Sequence, residues 1–317
     1  MRSANSSSFL HCTGGVVCGK RKGVFLMKTP ESASITAMRF RALGLGMLLA
    51  GITACSDTPG PDAFREKSAR EGHRRYQNEM GIYQQKIGHY AQALNWYLAA
   101  AAPTNHVIAS GETKVDVISR YGTFMKLLKK EPANAELNFN ALEEGSTVVV
   151  PGLPDAMYNA GAIYERAVQD GFLKDLGIDS PVEAKRQAVK WYRHSAGTGL
   201  EIAQFAYGHA LEHGIGGLDV DLKNAGSWYE RSAKQGFADA QNNLGNLHFL
   251  GFGDNEKRNY AEAYYWFSVC ANNMESNQED PPKDLVQAIN ACRKSLTNSD
   301  IQRMDRLINS FQPIKEE

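Results

Sequence analysis

The chain has 317 residues, 43% of them hydrophobic and 22% charged, which is long enough for two or more folded units and excludes disorder throughout. Its formal net charge is zero, but residues 1–54 hold seven basic side chains (Arg2, Lys20, Arg21, Lys22, Lys28, Arg39, Arg41) against Glu31 alone. The remainder carries 28 basic and 34 acidic residues, a net −6, so the sequence predicts no nucleic-acid partner.

Residues 38–57 read MRFRALGLGMLLAGITACSD: Arg39 and Arg41, then the apolar run from Ala42 to Gly51, then small residues leading to Cys55. That is the three-part layout of a secretory signal, too short and too glycine-rich to span a bilayer permanently. The ending Ile52-Thr53-Ala54-Cys55 resembles a bacterial lipobox. The resemblance implies cleavage before Cys55, lipidation of that cysteine and, because Ser56 rather than Asp follows it, retention at the outer membrane. Residues 1–37, with Cys12 and Cys18, do not fit the short basic start of such a signal. They read as sequence upstream of a true start at Met38 or Met27.

After a linker, residues 75–103 contain GHYAQALNWYLAAAAP. Gly88, Tyr90, Ala93, Tyr97, Ala100 and Pro103 match the second helix of a tetratricopeptide unit, which predicts one lone helix pair within residues 55–105.

Residues 106–152 have a different character. Val107 and Ile108 begin a short strand, and Val148 to Val150 form another that Pro151 stops. Between them Thr113 can cap a helix with Asp116 three residues on, ending at Gly122, and a second helix runs through Phe124, Leu127 and Leu128 before Pro132. This strand–helix–helix–strand order resembles the lysin motif (LysM). The matches are Gly111-Glu112-Thr113 at the family's Gly-Asp-Thr turn, Ile118 with Arg120-Tyr121-Gly122, Asn134, Leu142, Gly145 and the Val150-Pro151 ending. Glu112 departs from the usual Asp, and the 133–142 loop is rich in alanine. The resemblance implies binding of peptidoglycan through its N-acetylglucosamine. The sugar groove would be lined by Gly111, Glu112, Thr113 and Lys114 on one side and by Asn134, Leu137 and Asn138 on the other.

From about Asp155 the chain repeats. All four tryptophans are followed by an aromatic, in Trp96-Tyr97, Trp191-Tyr192, Trp228-Tyr229 and Trp266-Phe267, and the last three pairs are spaced by 37 and 38 residues. Ala196, Gly199 and Ala203 recur 37 residues later as Ala233, Gly236 and Ala240, and Gly208 recurs as Gly245. Such a period is that of a helix pair, which buries its apolar face only by stacking on its neighbours. One helix ends near Gly214, and the next carries Ala225, Trp228, Tyr229 and Ala233 on one face. The pattern resembles the Sel-one-like repeat, a relative of the tetratricopeptide repeat, over residues 153–274 in three copies. In the first copy about ten extra residues near 169–182 predict a loop projecting from one face. Residues 275–317 read as two closing helices, Leu285 to Leu296 and Asp300 to Phe311, the second capped by Thr297 with Asp300. The expected fold is therefore mainly α: an α-solenoid of helix-pair repeats with an inserted small βααβ LysM-like domain.

Catalytic patterns are sparse. His209-Ala-Leu-Glu212-His213 has the spacing of an inverted zinc-protease motif. A shift of 37 places its three polar residues on Asn246, Phe249 and Leu250, which are scaffold positions, and no third ligand is evident. No nucleophile elbow, phosphate-binding loop or cysteine metal knuckle is present. The sequence thus predicts no enzyme, no metal and no cofactor. The resemblances together imply a lipid-anchored protein on the periplasmic face of the outer membrane that binds peptidoglycan and an envelope protein, or else activates a wall hydrolase or assists a secretion or polysaccharide-export complex. In an oxidising compartment Cys270 and Cys292 are candidates for a disulfide worth about 3 kcal/mol, although Cys270 also aligns with Ser195 and Ser232.

Overall fold

The structure is a computed structural model and describes residues 60–107, 147–150, 152–253 and 258–316. The lipidation candidate Cys55, the sugar-groove candidates Gly111, Glu112, Thr113, Lys114, Asn134, Leu137 and Asn138, and the two helices expected between them lie outside the described residues.

Short polar side chains and prolines set where the helices begin. Asp62 caps α1 (Ala63–Arg70) by accepting from the Arg65 amide at 2.8 Å. Asp221 and Asn259, at equivalent places of two repeats, cap α7 (Leu222–Lys234) and α9 (Tyr260–Ser276) in the same way. Pro154 and Pro181 occupy the first turns of α4 (Pro154–Asp170) and α5 (Pro181–Gly197), where a missing N–H costs nothing. Gly214 ends α6 (Glu201–His213) in the left-handed conformation, as the sequence predicts. The remaining helices are α2 (Arg74–Lys86), α3 (Tyr90–Ala101), α8 (Ala238–Leu250), α10 (Lys283–Lys294) and α11 (Asn298–Ser310).

These helices pair as α2–α3, α4–α5, α6–α7 and α8–α9, and each pair closes on one contact. A Cβ added at Gly81 would fall 2.4 Å from the Tyr97 ring, and one at Gly161, Gly208 or Gly245 would fall 2.6, 3.0 and 2.6 Å from Tyr192, Tyr229 and Phe267. Absence of a side chain at that position lets the aromatic seat flat against the neighbouring backbone. Tyr97, Tyr229 and Phe267 are almost wholly buried there, each contributing about 1.5–3 kcal/mol by removal from water. Ala225, Tyr229 and Ala233 form the inward stripe of α7 expected from its spacing.

Two expectations are corrected. The pair α2–α3 is not a lone unit. Its residues Ala93, Leu94 and Tyr97 share one core with α4 to α8 and Trp266 of α9, and Asn159 of α4 donates to Asn78 of α2 at 3.1 Å. The extra residues after α4 do not project as a loop. They form a 3-10 turn, Leu173–Leu176, that folds back so that Phe172 stacks on Tyr90 with ring centroids 4.4 Å apart, while Leu176 and Ile178 pack on the core. Burying Phe172, Leu176 and Ile178 against the partly built face beside them removes apolar surface from water.

Between α3 and α4 two short strands bring the chain back to the end of α3. Strand β1 (Thr104–Val107) pairs antiparallel with β2 (Thr147–Val150), Thr104 opposite Val150 and Val107 opposite Thr147. Beyond β2 the Leu153 amide donates to Ala100 at 2.9 Å. A Cβ at Gly152 would lie 1.8 Å from the Ala101 carbonyl oxygen, so only glycine lets the returning chain pass so close. At the other end α10 and α11 cover α9 through Leu285, Cys292, Met304 and Ile308. Thr297 caps α11 and accepts from the Asp300 amide at 3.2 Å, as expected. Residues 311–316 then run back over α6 and α7.

Candidate functional site

The catalytic-looking motif on α6 is dismantled by its contacts. Glu212 accepts the hydroxyl of Tyr229, just as Glu165 accepts that of Tyr192 at 2.7 Å and Gln85 that of Tyr97 at 2.8 Å. Each acceptor lies four residues after the glycine that receives the ring. In the fourth pair the ring is Phe267, which has no hydroxyl, and the acceptor position is Phe249, which needs none. Glu212 is thus one half of a repeat contact. The sequence signal was present, in Gly208 plus four, but its meaning depends on knowing which ring meets which glycine.

His209 and His213 sit one turn apart with ring centroids 4.3 Å apart. Burial, reinforced by the neighbouring His213, pushes the His209 pKa down to about 4, so its imidazole is neutral near pH 7. Among the described residues no group of three His, Cys, Asp or Glu side chains is placed to hold a metal. His209 lines a cavity of about 240 Å³ with Glu165, Lys185, Val189, Tyr192 and Ile215. The Glu165 carboxylate there is occupied by the Tyr192 hydroxyl.

The expected disulfide is not formed. Cys270 and Cys292 are free and buried. Cys270 donates to the Ala238 carbonyl at 3.3 Å, where Ser195 donates to Pro154 at 2.9 Å and Ser232 to Glu201 at 2.7 Å. It therefore fills the repeat's place for a small donor that ties the second helix to the start of the first. Burial pushes both thiols up to about 12, so neither is a ready thiolate.

Polar groups of unlike origin converge elsewhere, on the start of α6 and the end of α7. Glu316 receives Arg231 through Nε at 2.9 Å and Nη2 at 2.6 Å, and the Gln204 side-chain amide at 2.7 Å. The Glu316 amide donates to Gln235 Oε1 at 2.9 Å, the Ile314 amide donates to Lys234 O at 2.9 Å, and Lys315 pairs with Glu201. The Arg231 guanidinium lies 4.6 Å over the Trp228 ring, which holds its fork in place. Sequence reasoning missed this cluster because its members are separated by as many as 112 residues and, of them, Gln204 recurs as Gln241 while Arg231 and Gln235 do not recur.

Residues 78–102, 202–237 and 238–269 match the model of the Sel1 repeat. These residues fall on α2–α3, α6–α7 and the greater part of α8–α9. Among curated proteins the chain is similar to chitin synthase regulatory factor 3 of Schizosaccharomyces pombe, 27% identical over 148 residues, which is 47% of this chain and 15% of that protein. Among solved structures it is similar to a protective antigen of uropathogenic Escherichia coli displaying an SLR fold, 23% identical with a TM-score of 0.40 over 78% of this chain and 47% of that one. It is also similar to a Sel1 repeat protein from Oxalobacter formigenes, 19% identical with a TM-score of 0.39 over 77% and 79% of the two chains. The chain spans a small part of the curated relative and about half of the first of these structures. The matches to the Sel1 repeat model thus include the early pair α2–α3 as well as α6 to α9.

Proposed function

We propose that this chain is a non-catalytic envelope scaffold. Acyl groups on Cys55 hold it to the periplasmic face of the outer membrane, residues 106–152 grip peptidoglycan, and the repeat stack presents a binding surface to another envelope protein. The observation that carries the scaffold reading is the continuous stack from α2 to α9. Its buried hydroxyls, thiols and carboxylates are spent on packing contacts rather than poised for chemistry. Wall binding draws on the order of motifs in residues 106–152, with Gly111, Glu112, Thr113, Lys114, Asn134, Leu137 and Asn138 lining the groove. The β1–β2 ladder supports it further, since pairing the two ends of the segment suits a small unit inserted in a helical connection. The lipid anchor draws on the sequence around Cys55. Tethering raises the effective concentration of the wall, so a weak single motif suffices.

A version beginning after Cys55 is expected to sediment with purified sacculi. Replacing residues 108–146 by a two-residue turn, which keeps β1, β2 and the Leu153–Ala100 bond, should leave it in solution. Pelleting of the shortened chain would remove the wall-binding reading. A second reading, a non-catalytic activator or assembly factor, is favoured by the name of the curated relative, a regulatory factor for an enzyme that makes another N-acetylglucosamine polymer.

A further inference from the structure

The seat that receives residues 311–316 is preorganised. Gln204 is fully buried and Gln235 is 3% exposed. The Gln235 amide nitrogen donates to the Gly199 carbonyl and to Gln204 Oε1, both at 2.8 Å. A backbone carbonyl only accepts, so this fixes which way Gln235 points. Its oxygen is then turned toward the seat to accept an N–H. Gln204, having accepted, presents its own amide N–H to a carboxylate. With the Arg231 fork stacked on Trp228, the seat reads one carboxylate from three donors and one backbone N–H beside it.

The repeat does not require these residues. The places of Arg231 and Gln235 are taken by Ala99 and Pro103 in the first pair, His194 and Thr198 in the second, and Val269 and Asn273 in the fourth. In the fourth pair Gln241 matches Gln204, but its amide is turned to the Ala233 carbonyl, and Asn273 closes the circuit onto Gly236 and Gln241. In α6–α7, by contrast, the Gln204 amide and the Arg231 fork are directed to Glu316. The segment that occupies the seat is held by polar contacts and buries little apolar surface: residues 312–315 are exposed, Ile314 at 72%.

We infer that Gln204, Arg231 and Gln235 form a recognition site for an extended, glutamate-bearing segment of a partner protein, and that residues 311–316 are its exchangeable occupant. The inference rests on the scaffold reading and assigns its partner's chemistry. The occupant is tethered at high effective concentration, so it competes with any partner segment and lowers the apparent affinity of the resting protein.

The probe is a dye-labelled peptide of residues 312–316, Gln-Pro-Ile-Lys-Glu, with its carboxyl end amidated, followed by fluorescence anisotropy. The chain shortened by removal of residues 312–317, which keeps Phe311 against Trp266, should bind it saturably, and the full chain at least tenfold more weakly. Arg231→Ala in the shortened chain should abolish binding, and Arg231→Lys, which loses the fork, should weaken it. If the shortened chain fails to fold by circular dichroism, Glu316→Arg in the full chain supplies the open seat. The inference is overturned by absence of saturable binding to a folded open form, by equal binding to open and full chains, or by binding that survives Arg231→Ala. A concentration-dependent dimer of the full chain that dissociates on Glu316→Arg also overturns it, since the seat would then serve a second copy. None of these outcomes touches sacculus pelleting, so failure here is distinct from failure of the wall tether.

Discussion

The pairs α6–α7 and α8–α9 share a register and differ in what they leave unsatisfied. Both seat an aromatic on a glycine, Tyr229 on Gly208 and Phe267 on Gly245. Both tie their helices through a small donor, Ser232 or Cys270. Both close the same side-chain circuit, Gln235 onto Gln204 and Asn273 onto Gln241, but the Gln241 amide turns back to the Ala233 carbonyl whereas the Gln204 amide reaches Glu316. Positions shared by the two pairs make the fold, and positions where they part are where the molecule has something to bind. This separation is what a repeat protein allows, because each unit needs only its neighbours for stability.

The comparison can be broken most severely at the glycines. Gly245→Ala places a methyl 2.6 Å from the Phe267 ring, and Gly208→Ala places one 3.0 Å from Tyr229. Overpacking costs about 1–3 kcal/mol, against about 1 kcal/mol regained in helix propensity. The urea midpoint should fall further for Gly245→Ala than for Gly208→Ala, and equal midpoints would refute the ranking.

A second difference is in the acid response, since His209 in α6 corresponds to Asn246 in α8, while both helices carry a histidine whose pKa burial lowers, His209 and His248. The His209 pKa is depressed to about 4 from an unfolded value of about 6.5. Stability from the neutral ring is therefore complete above pH 6.5 and is lost as pH falls toward 4, by up to about 3 kcal/mol at about 1.4 kcal/mol per unit. His209→Asn should flatten the fall in urea midpoint between pH 7 and pH 4. An unchanged slope would move the acid response elsewhere.

Smaller effects test the ring contacts. Tyr229→Phe removes the donor to Glu212 and the acceptor of Asn243 and should cost about 1–2 kcal/mol. Adding Glu212→Phe reproduces the Phe267–Phe249 pair and should recover part of that loss, which a double-mutant cycle reads directly. Smallest of all, Cys270→Ser should change stability by less than about 1 kcal/mol, and a reductant should leave the melting temperature of the parent unmoved. A drop on reduction would restore the disulfide.

How much of this was legible in the sequence follows the same division. The stripe Ala225, Tyr229 and Ala233, the stop at Gly214 and the Thr297 cap are local signals with one physical meaning, and the structure has them. Spacing alone predicted a loop for residues 169–182, because an insertion breaks the period whether it projects or folds back. Phe172, Leu176 and Ile178 were the apolar signal that it folds back. The lone reading of α2–α3 failed because the 106–152 segment separates it from its neighbour along the chain, while Gly152 and Leu153 restore contact in space. The seat of Gln204, Arg231 and Gln235 was illegible because nothing in its spacing points to Glu316.

The central claim, that α6–α7 and not its sister pair meets the partner, is tested most directly by photocrosslinking in cells of the native host. A photoreactive residue is placed at position 234 or at its counterpart 272, both on the exposed side of the second helix. A discrete protein adduct from position 234, lost with Arg231→Ala and absent from position 272, is the predicted result. Equal adducts from the two positions, or none from either, would contradict it.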